Sequence, residues 1–257
     1  MDIHRDLDTW RRYRHDADAW APGFVPTLGG LHAGHRSLVE RSVRENECTV
    51  VSLFLNPTQF DEDADLEAYP AARADDLAAL REWGVDHVLL PERAAMYPDD
   101  YRYRVSEDAL SKRFCGAHRP DHFDGVLTIV LKLLNLVRPA RAYFGEKEWQ
   151  QLQLARGMAE ACFLDTDIVA CPVVRATDGL ALSSRNARLD ERQARLASSL
   201  HRSLVESATP GEAARRLAEL GFEVDYVEDV EGRRLAAARL GDVRLIDNIA
   251  LEDRHAT

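Results

Sequence analysis

Several features are missing from this chain, and each absence narrows its function. No stretch of the 257 residues is long and uncharged enough to span a bilayer, and Met1-Asp2-Ile3-His4-Arg5-Asp6 lacks the apolar character of a secretory segment. A cytoplasmic protein with no membrane partner is expected. Basic charge is in deficit, with 33 Lys and Arg against 44 Asp and Glu and a formal net charge of -11, which argues against a nucleic-acid-binding surface. Positive charge for an anionic substrate must then be local. Cysteine is scarce: Cys48, Cys115, Cys162 and Cys171 show no Cys-x-x-Cys spacing, so neither a zinc site nor a disulfide framework is indicated. Repeats and low-complexity tracts are absent too.

What is present is an alternation of apolar runs and helical stretches. Strand-like runs at 23–26, 49–55, 87–90, 142–144 and 167–170 are interleaved with helical segments such as 36–44 and 74–83. That order predicts an α/β fold, a doubly wound parallel sheet of the Rossmann-like kind. After Pro172-Val173-Val174-Arg175 the pattern changes to helical segments at 191–208 and 211–220, then short strands at 222–227, 235–240 and 242–246. Two domains are expected, residues 1–173 and a smaller α+β unit of residues 174–257.

Five segments carry chemistry. Pro26-Thr27-Leu28-Gly29-Gly30-Leu31-His32-Ala33-Gly34-His35 follows an apolar run and sets two histidines around a glycine. The glycines let the backbone approach a nucleotide, and the helix that follows offers N–H groups and a positive dipole end to phosphate. The histidines supply donors for charge developing on phosphorus. Alone, a His-x-Gly-His tetrapeptide is as readily a chance loop as a nucleotide site.

Asn56-Pro57-Thr58-Gln59 closes a buried strand, where Asn56 and Gln59 either meet substrate at the strand's carboxyl end or merely cap a turn. Arg119 and His122 precede an apolar stretch, Val126 to Val137, and read either as an anion-binding pair or as a surface Arg beside a helix-capping His. Gly145-Glu146-Lys147-Glu148-Trp149-Gln150-Gln151 places Lys147 as a point charge for phosphates, with Gln151 four residues on, unless it is a solvated charge cluster. Leu182-Ser183-Ser184-Arg185-Asn186 offers two hydroxyls and a guanidinium for a triphosphate, or an ordinary helix start.

Taken in order, these segments resemble the pantothenate synthetase family, together with Asp65-Leu66, Tyr69-Pro70, Arg239-Leu240-Gly241 and Arg244-Leu245-Ile246-Asp247-Asn248. The resemblance runs from about Gly23 to Asn248. It implies ATP-dependent condensation of pantoate with beta-alanine through an acyl adenylate, or a paralogous ligase using another acid or amine. It also implies Mg2+ on the ATP, a homodimer joined through the first domain, and a second domain acting as a lid. Residue by residue, Leu28 to His35 look like the ATP loop, with His35 in the place of the family's proton donor. Gly145 to Glu148, Val174 and Leu182 to Arg185 match nucleotide contacts, and Gln59 and Gln151 match the glutamines that hold pantoate. Asp75 and Asp76 match acidic residues of the metal or phosphate side.

The chain also departs from the family pattern. Gly30 replaces Ala and Ala33 replaces Glu, which predicts a more flexible loop. Leu28 and Leu182 replace Met, Glu148 replaces Asp, Trp149 replaces Tyr, Ala71 replaces Arg and Ala79 replaces Gln. The C-terminal part is shorter than the family norm around 208–211 and 228–235.

Overall fold

The computed structural model describes residues 1–16, 21–61, 63–70 and 72–252. Ala71, one of the family departures, lies outside the described residues. The chain forms two compact units: Met1–Glu146 with Gln150–Cys171, and Lys147–Trp149 with Pro172–Thr257. Lys147 to Trp149 thus group with the second unit, a long-range association that composition has no means to signal.

The first unit is built on six strands, β1 (Asp2–His4), β2 (Gly23–Thr27), β3 (Thr49–Leu53), β4 (His87–Leu89), β5 (Arg141–Gly145) and β6 (Asp167–Cys171). Their order is β1-β4-β3-β2-β5-β6, and every pairing is parallel. Strands covered on both faces read as continuous apolar runs, and β3 is buried at all five positions. Val25, Val51 and Val88 stand side by side in register on β2, β3 and β4. Leu38 and Val39 of α1 (Ala33–Glu45) and Leu80 of α2 (Arg73–Glu82) close the same core. The order reverses between β2 and β5, so the carboxyl ends of those two strands flank a topological switch point, where open α/β sheets bind ligands.

β1 escapes the sequence pattern. It has three residues, two of them polar, and pairs at the sheet edge with β4. Helix α3 (His122–Val137) is buried on most sides within its own unit. Its apolar content therefore reports core packing and gives no separate argument for a dimer surface. Among the described residues no helix is long and apolar enough to cross a membrane.

The second unit packs α5 (Glu191–Ala197), α6 (Ser199–Glu206) and α7 (Pro210–Glu219) on an antiparallel sheet of β7 (Glu223–Val230), β8 (Arg233–Leu240) and β9 (Val243–Ala250). The single helix expected over 191–208 is broken at Ser198. There the hydroxyl turns back onto the Arg195 carbonyl (3.4 Å), in competition with the helical ladder.

Candidate active site

β2 ends at Thr27, whose hydroxyl donates to the Ser52 carbonyl (2.8 Å) and accepts from the Gly29 N–H (3.2 Å). Gly29 (φ 93) and Gly30 (φ 64) then hold left-handed backbone, which glycine adopts without Cβ strain. The Asp76 carboxylate of α2 accepts from the Gly30 N–H (2.9 Å) and the Leu31 N–H (2.8 Å), while the Tyr69 hydroxyl donates to the Gly29 carbonyl (3.3 Å). The flexibility expected of a second glycine is not what the structure shows. Gly30 serves a fixed turn pinned from both sides.

His32 caps the N-terminus of α1. Its Nδ1 accepts from the Gly34 N–H (3.0 Å), and Nδ1 of His35 accepts from the His32 N–H (3.3 Å), a reciprocal capping box. A backbone N–H can only donate, so both Nδ1 atoms accept and Nε2 is the donor position of each ring. The rings lie 4.1 Å apart, centroid to centroid. Two ring N–H donors thus sit at a helix N-terminus, where the helix dipole favours an anion.

Gln59 is held with equal care. Asn56, at 0 % exposure, donates from Nδ2 to Gln59 Oε1 (2.9 Å) and to the Gly125 carbonyl (3.2 Å). Its Oδ1 accepts from Thr58 (3.0 Å) and from the Tyr97 hydroxyl (2.7 Å). Burial pushes the Tyr97 phenol up to about 12, which keeps it a donor. Asn56 spends its amide on the protein, so it orients Gln59 and does not itself face a ligand.

Arg119 and His122 do the same from the other side. His122 Nδ1 donates to the Gln59 carbonyl (2.7 Å), and Arg119 donates to that carbonyl (3.1 Å) and to Nε2 of His122 (3.1 Å). Asp61 pairs with the Arg119 Nε at 2.5 Å. These two residues, expected to meet substrate, form a clamp on the Gln59 backbone. Gly125 permits the approach, because a Cβ there would lie 2.2 Å from the Thr58 carbonyl oxygen. With Asn56 occupying its Oε1, Gln59 presents its NH2 group.

On α4 (Trp149–Ala161), Gln150 is the structural amide, bonded to Cys115, Leu110 and Arg113. The Gln151 amide makes no hydrogen bond among the described residues and stays available.

In the second unit, Lys147 Nζ lies 3.2 Å from Glu148 Oε1, and the Lys147 carbonyl accepts from Asn248 Nδ2 (3.2 Å). Val174 and Leu182 pair across a short hairpin. The Leu182 N–H donates to the Val174 carbonyl (2.9 Å). Ser183 starts a 3-10 turn, Ser184–Arg188, and accepts from the Arg185 N–H (3.3 Å). Beneath the hairpin Arg175 forms a two-pronged pair with Asp247 (2.7 and 2.9 Å). Sequence reasoning quoted Tyr69, Asp247 and Asn248 as motif without giving them a task, and it assigned none to Arg175 and Tyr97.

Magnesium has no ready-made cage. Among the described residues no group of three or more His, Cys, Asp and Glu side chains could hold a metal ion. Asp76, at 5 % exposure, has both oxygens on the Gly30 and Leu31 amides, and Asp75 on the same helix is exposed. That donor set fits a metal that arrives on substrate phosphates and keeps its waters.

Comparison with known proteins shows the family and the fold. The sequence model of the family described as pantoate-beta-alanine ligase matches residues 2–250. Pantothenate synthetase of Bdellovibrio bacteriovorus is 49 % identical over 246 residues, covering 96 % of both chains. That of Legionella pneumophila strain Corby is 46 % identical over 252 residues, 98 % of this chain and 100 % of the relative. The chain and these two relatives are thus of nearly the same length. Among solved structures, a pantoate-beta-alanine ligase from Francisella tularensis, complexed with beta-gamma ATP and beta-alanine, superposes with TM-score 0.94 at 34 % identity, covering 98 % of each chain. Pantothenate synthetase of Thermus thermophilus superposes with TM-score 0.89 at 38 % identity, covering 98 % of this chain and 99 % of that one.

Proposed function

The chain belongs to the pantoate-beta-alanine ligase family, and from that premise we infer how its residues join pantoate to beta-alanine at the expense of ATP. A carboxylate does not condense with an amine in water, because its leaving group is too poor. In the proposed path a pantoate carboxylate oxygen bonds to the α-phosphorus, the bond to pyrophosphate breaks, and a pantoyl adenylate forms. The beta-alanine amine then bonds to the acyl carbon, AMP leaves, and the amine proton is lost to solvent.

The observation that carries this reading is the pair of Nε2-protonated histidines at the N-terminus of α1. Donors fixed before the reaction need no reorganisation when charge builds on phosphate oxygens. His35 is assigned to the α-phosphate and leaving group, and His32 stands beside it. Lys147, Ser183, Ser184 and Arg185 hold the remaining phosphate charge, and Val174 offers a backbone N–H to the base. Mg2+ enters on the ATP phosphates. Gln59 and Gln151 present amides to the hydroxyls and carboxylate of pantoate. The lid role of the second unit, the homodimer and a cytoplasmic setting belong to the same reading, and four free cysteines suit that setting.

The test is chemical. Protein supplied with ATP, Mg2+ and pantoate is expected to exchange pyrophosphate into ATP before any amine is added, and to release pantothenate and AMP once beta-alanine is present. Exchange that needs the amine would remove the adenylate. A mass-spectrometric preference for another amine in a mixed panel would turn the reading to a paralogous ligase.

A further inference from the structure

Asp247 and Asn248 lie together on β9 and are nearly sealed from solvent, at 4 % and 2 % exposure. Their contacts run in two directions. Asn248 Nδ2 donates to the Lys147 carbonyl (3.2 Å), and its Oδ1 accepts from Arg233 Nη1 (2.5 Å), which fixes which end of the amide faces Lys147. Asp247 takes both prongs of Arg175, whose Nη1 also donates to the Gly179 carbonyl (3.1 Å) and whose Nη2 donates to the Asn248 carbonyl (3.1 Å). Arg175 and Gly179 belong to the hairpin in which Val174 and Leu182 pair.

We propose that the Asp247-Asn248 pair is a positioning element for ATP: Asn248 sets the Lys147 segment, and Asp247, through Arg175, sets the hairpin that carries Val174 and Leu182. Neither residue needs to touch the nucleotide. The inference rests on the assignment of Lys147 and that hairpin to ATP. It goes beyond that assignment by placing their control in a dipeptide within β9.

The state of Asp247 supports it. Burial alone would raise this carboxyl, but the His201 ring and the Arg175 guanidinium against it more than offset the burial and hold it below the ordinary carboxylate range. The group is thus a permanent anion at neutral pH, and a fixed anion is what a two-pronged guanidinium requires to stay in one orientation. Gly179 closes the arrangement. Its φ of 93 lies in the left-handed region, and a Cβ there would lie 3.0 Å from Cδ2 of His201.

The decisive variant is Asn248→Asp, which keeps an acceptor for Arg233, removes the donor that faces Lys147 and sets a carboxylate oxygen against that carbonyl. The expected result is an ATP KM raised about tenfold or more, from one lost hydrogen bond and the added repulsion, with the pantoate KM unmoved. A double-mutant cycle with Lys147→Ala separates positioning from simple damage. If Asn248 acts through Lys147, the double variant is no worse in adenylate formation than Lys147→Ala alone, whereas full additivity overturns the proposal. Asp247→Asn, which spares the shape and removes the charge, should raise the ATP KM in the same way, and Arg175→Ala should add little to it.

Circular dichroism and melting are read on each protein. Should Asn248→Asp not fold, Asn248→Ala carries the same cycle. Should Lys147→Ala leave ATP kinetics unchanged, the assignment of Lys147 fails. Should Lys147→Ala impair them while Asn248→Asp and Asp247→Asn do not, the assignment stands and the positioning role fails.

Discussion

His32 and His35 are held by hydrogen bonds that span two and three positions, whereas the Lys147 peptide is held by Asn248, 101 positions further along. The first arrangement is complete once one helix turn forms. The second exists only after the three-stranded sheet of the second unit has assembled. A locally built site keeps its geometry when distant packing is disturbed, and a site built at long range inherits every disturbance of the fold that carries it. The two proposed nucleotide contacts should therefore fail differently under mutation.

The largest effect is expected at the local site. His35→Ala removes one ring of the pair and one acceptor of the capping box, and loss of a positioned donor to a transition state typically costs on the order of a hundredfold or more in rate. Adenylate formation, followed by pyrophosphate exchange, should fall by that amount while the melting temperature changes little. Near-normal exchange in a folded His35→Ala protein would take the ring out of the reaction.

Next in size is an effect on how Gln59 is presented. Gly125→Ala puts a methyl group 2.2 Å from the Thr58 carbonyl oxygen, so α3 or the Pro57–Gln59 turn must move. Overpacking of this sort costs about 1–3 kcal/mol, and the shift carries Gln59 with it. Gly157 provides the contrast: it is exposed on α4, has no positive φ, and a Cβ there meets nothing within 4 Å. Gly157→Ala should stabilise by up to about 1 kcal/mol. Opposite shifts in denaturation midpoint check the pair, and equal shifts would mean that Gly125 is not a packing glycine.

A smaller effect is expected at Gln151, whose amide has no hydrogen bond among the described residues. Gln151→Ala should leave stability intact and raise the pantoate KM roughly five- to tenfold, with ATP binding by calorimetry unchanged. Weaker ATP binding at unchanged pantoate KM would reverse the assignment.

The same contrast of range explains what the sequence could say. The parallel strands were legible because each is an apolar run ended by turn residues, and β3 through β6 fall within two residues of the expected bounds. β1 was not, because three residues with polar Asp2 and His4 carry no period. The histidine pair was legible because its capping bonds lie within one turn, whereas Asp76 and Tyr69, which pin the glycine turn before it, lie 40 or more positions away. Asn56, Arg119 and His122 were found, but nothing local shows that their side chains turn toward Gln59. Arg175 passed unnoticed because its partner Asp247 lies 72 positions away.

The smallest effect concerns acid, and it separates the two units by pH range. In the first unit His4 Nε2 lies 3.1 Å from His87 Nδ1, with the Tyr13 hydroxyl 3.4 Å from the other nitrogen of His87 and the Asp2 carboxylate 3.8 Å from Nδ1. Burial holds both rings below the ordinary value of 6.5; the neighbouring His87 charge adds to this for His4, while Asp2 and Asp86 only partly offset it for His87. A folded ring that binds protons less readily than the unfolded chain destabilises the fold as pH drops. Its contribution is whole above 6.5 and declines below it, until the folded rings themselves take up protons. Asp247 in the second unit, held below its ordinary 3.8, stabilises at every pH above that value and loses its contribution only as pH falls further. Between these limits acid should loosen β1 and β4 while β9 stays protected. Hydrogen exchange at about pH 7.5 and about pH 5, corrected for intrinsic rates, should show protection lost at Asp2–His4 and His87–Leu89 and kept at Val243–Ala250. His4→Gln with His87→Gln should abolish that difference, and an equal loss in both units would dissolve the distinction.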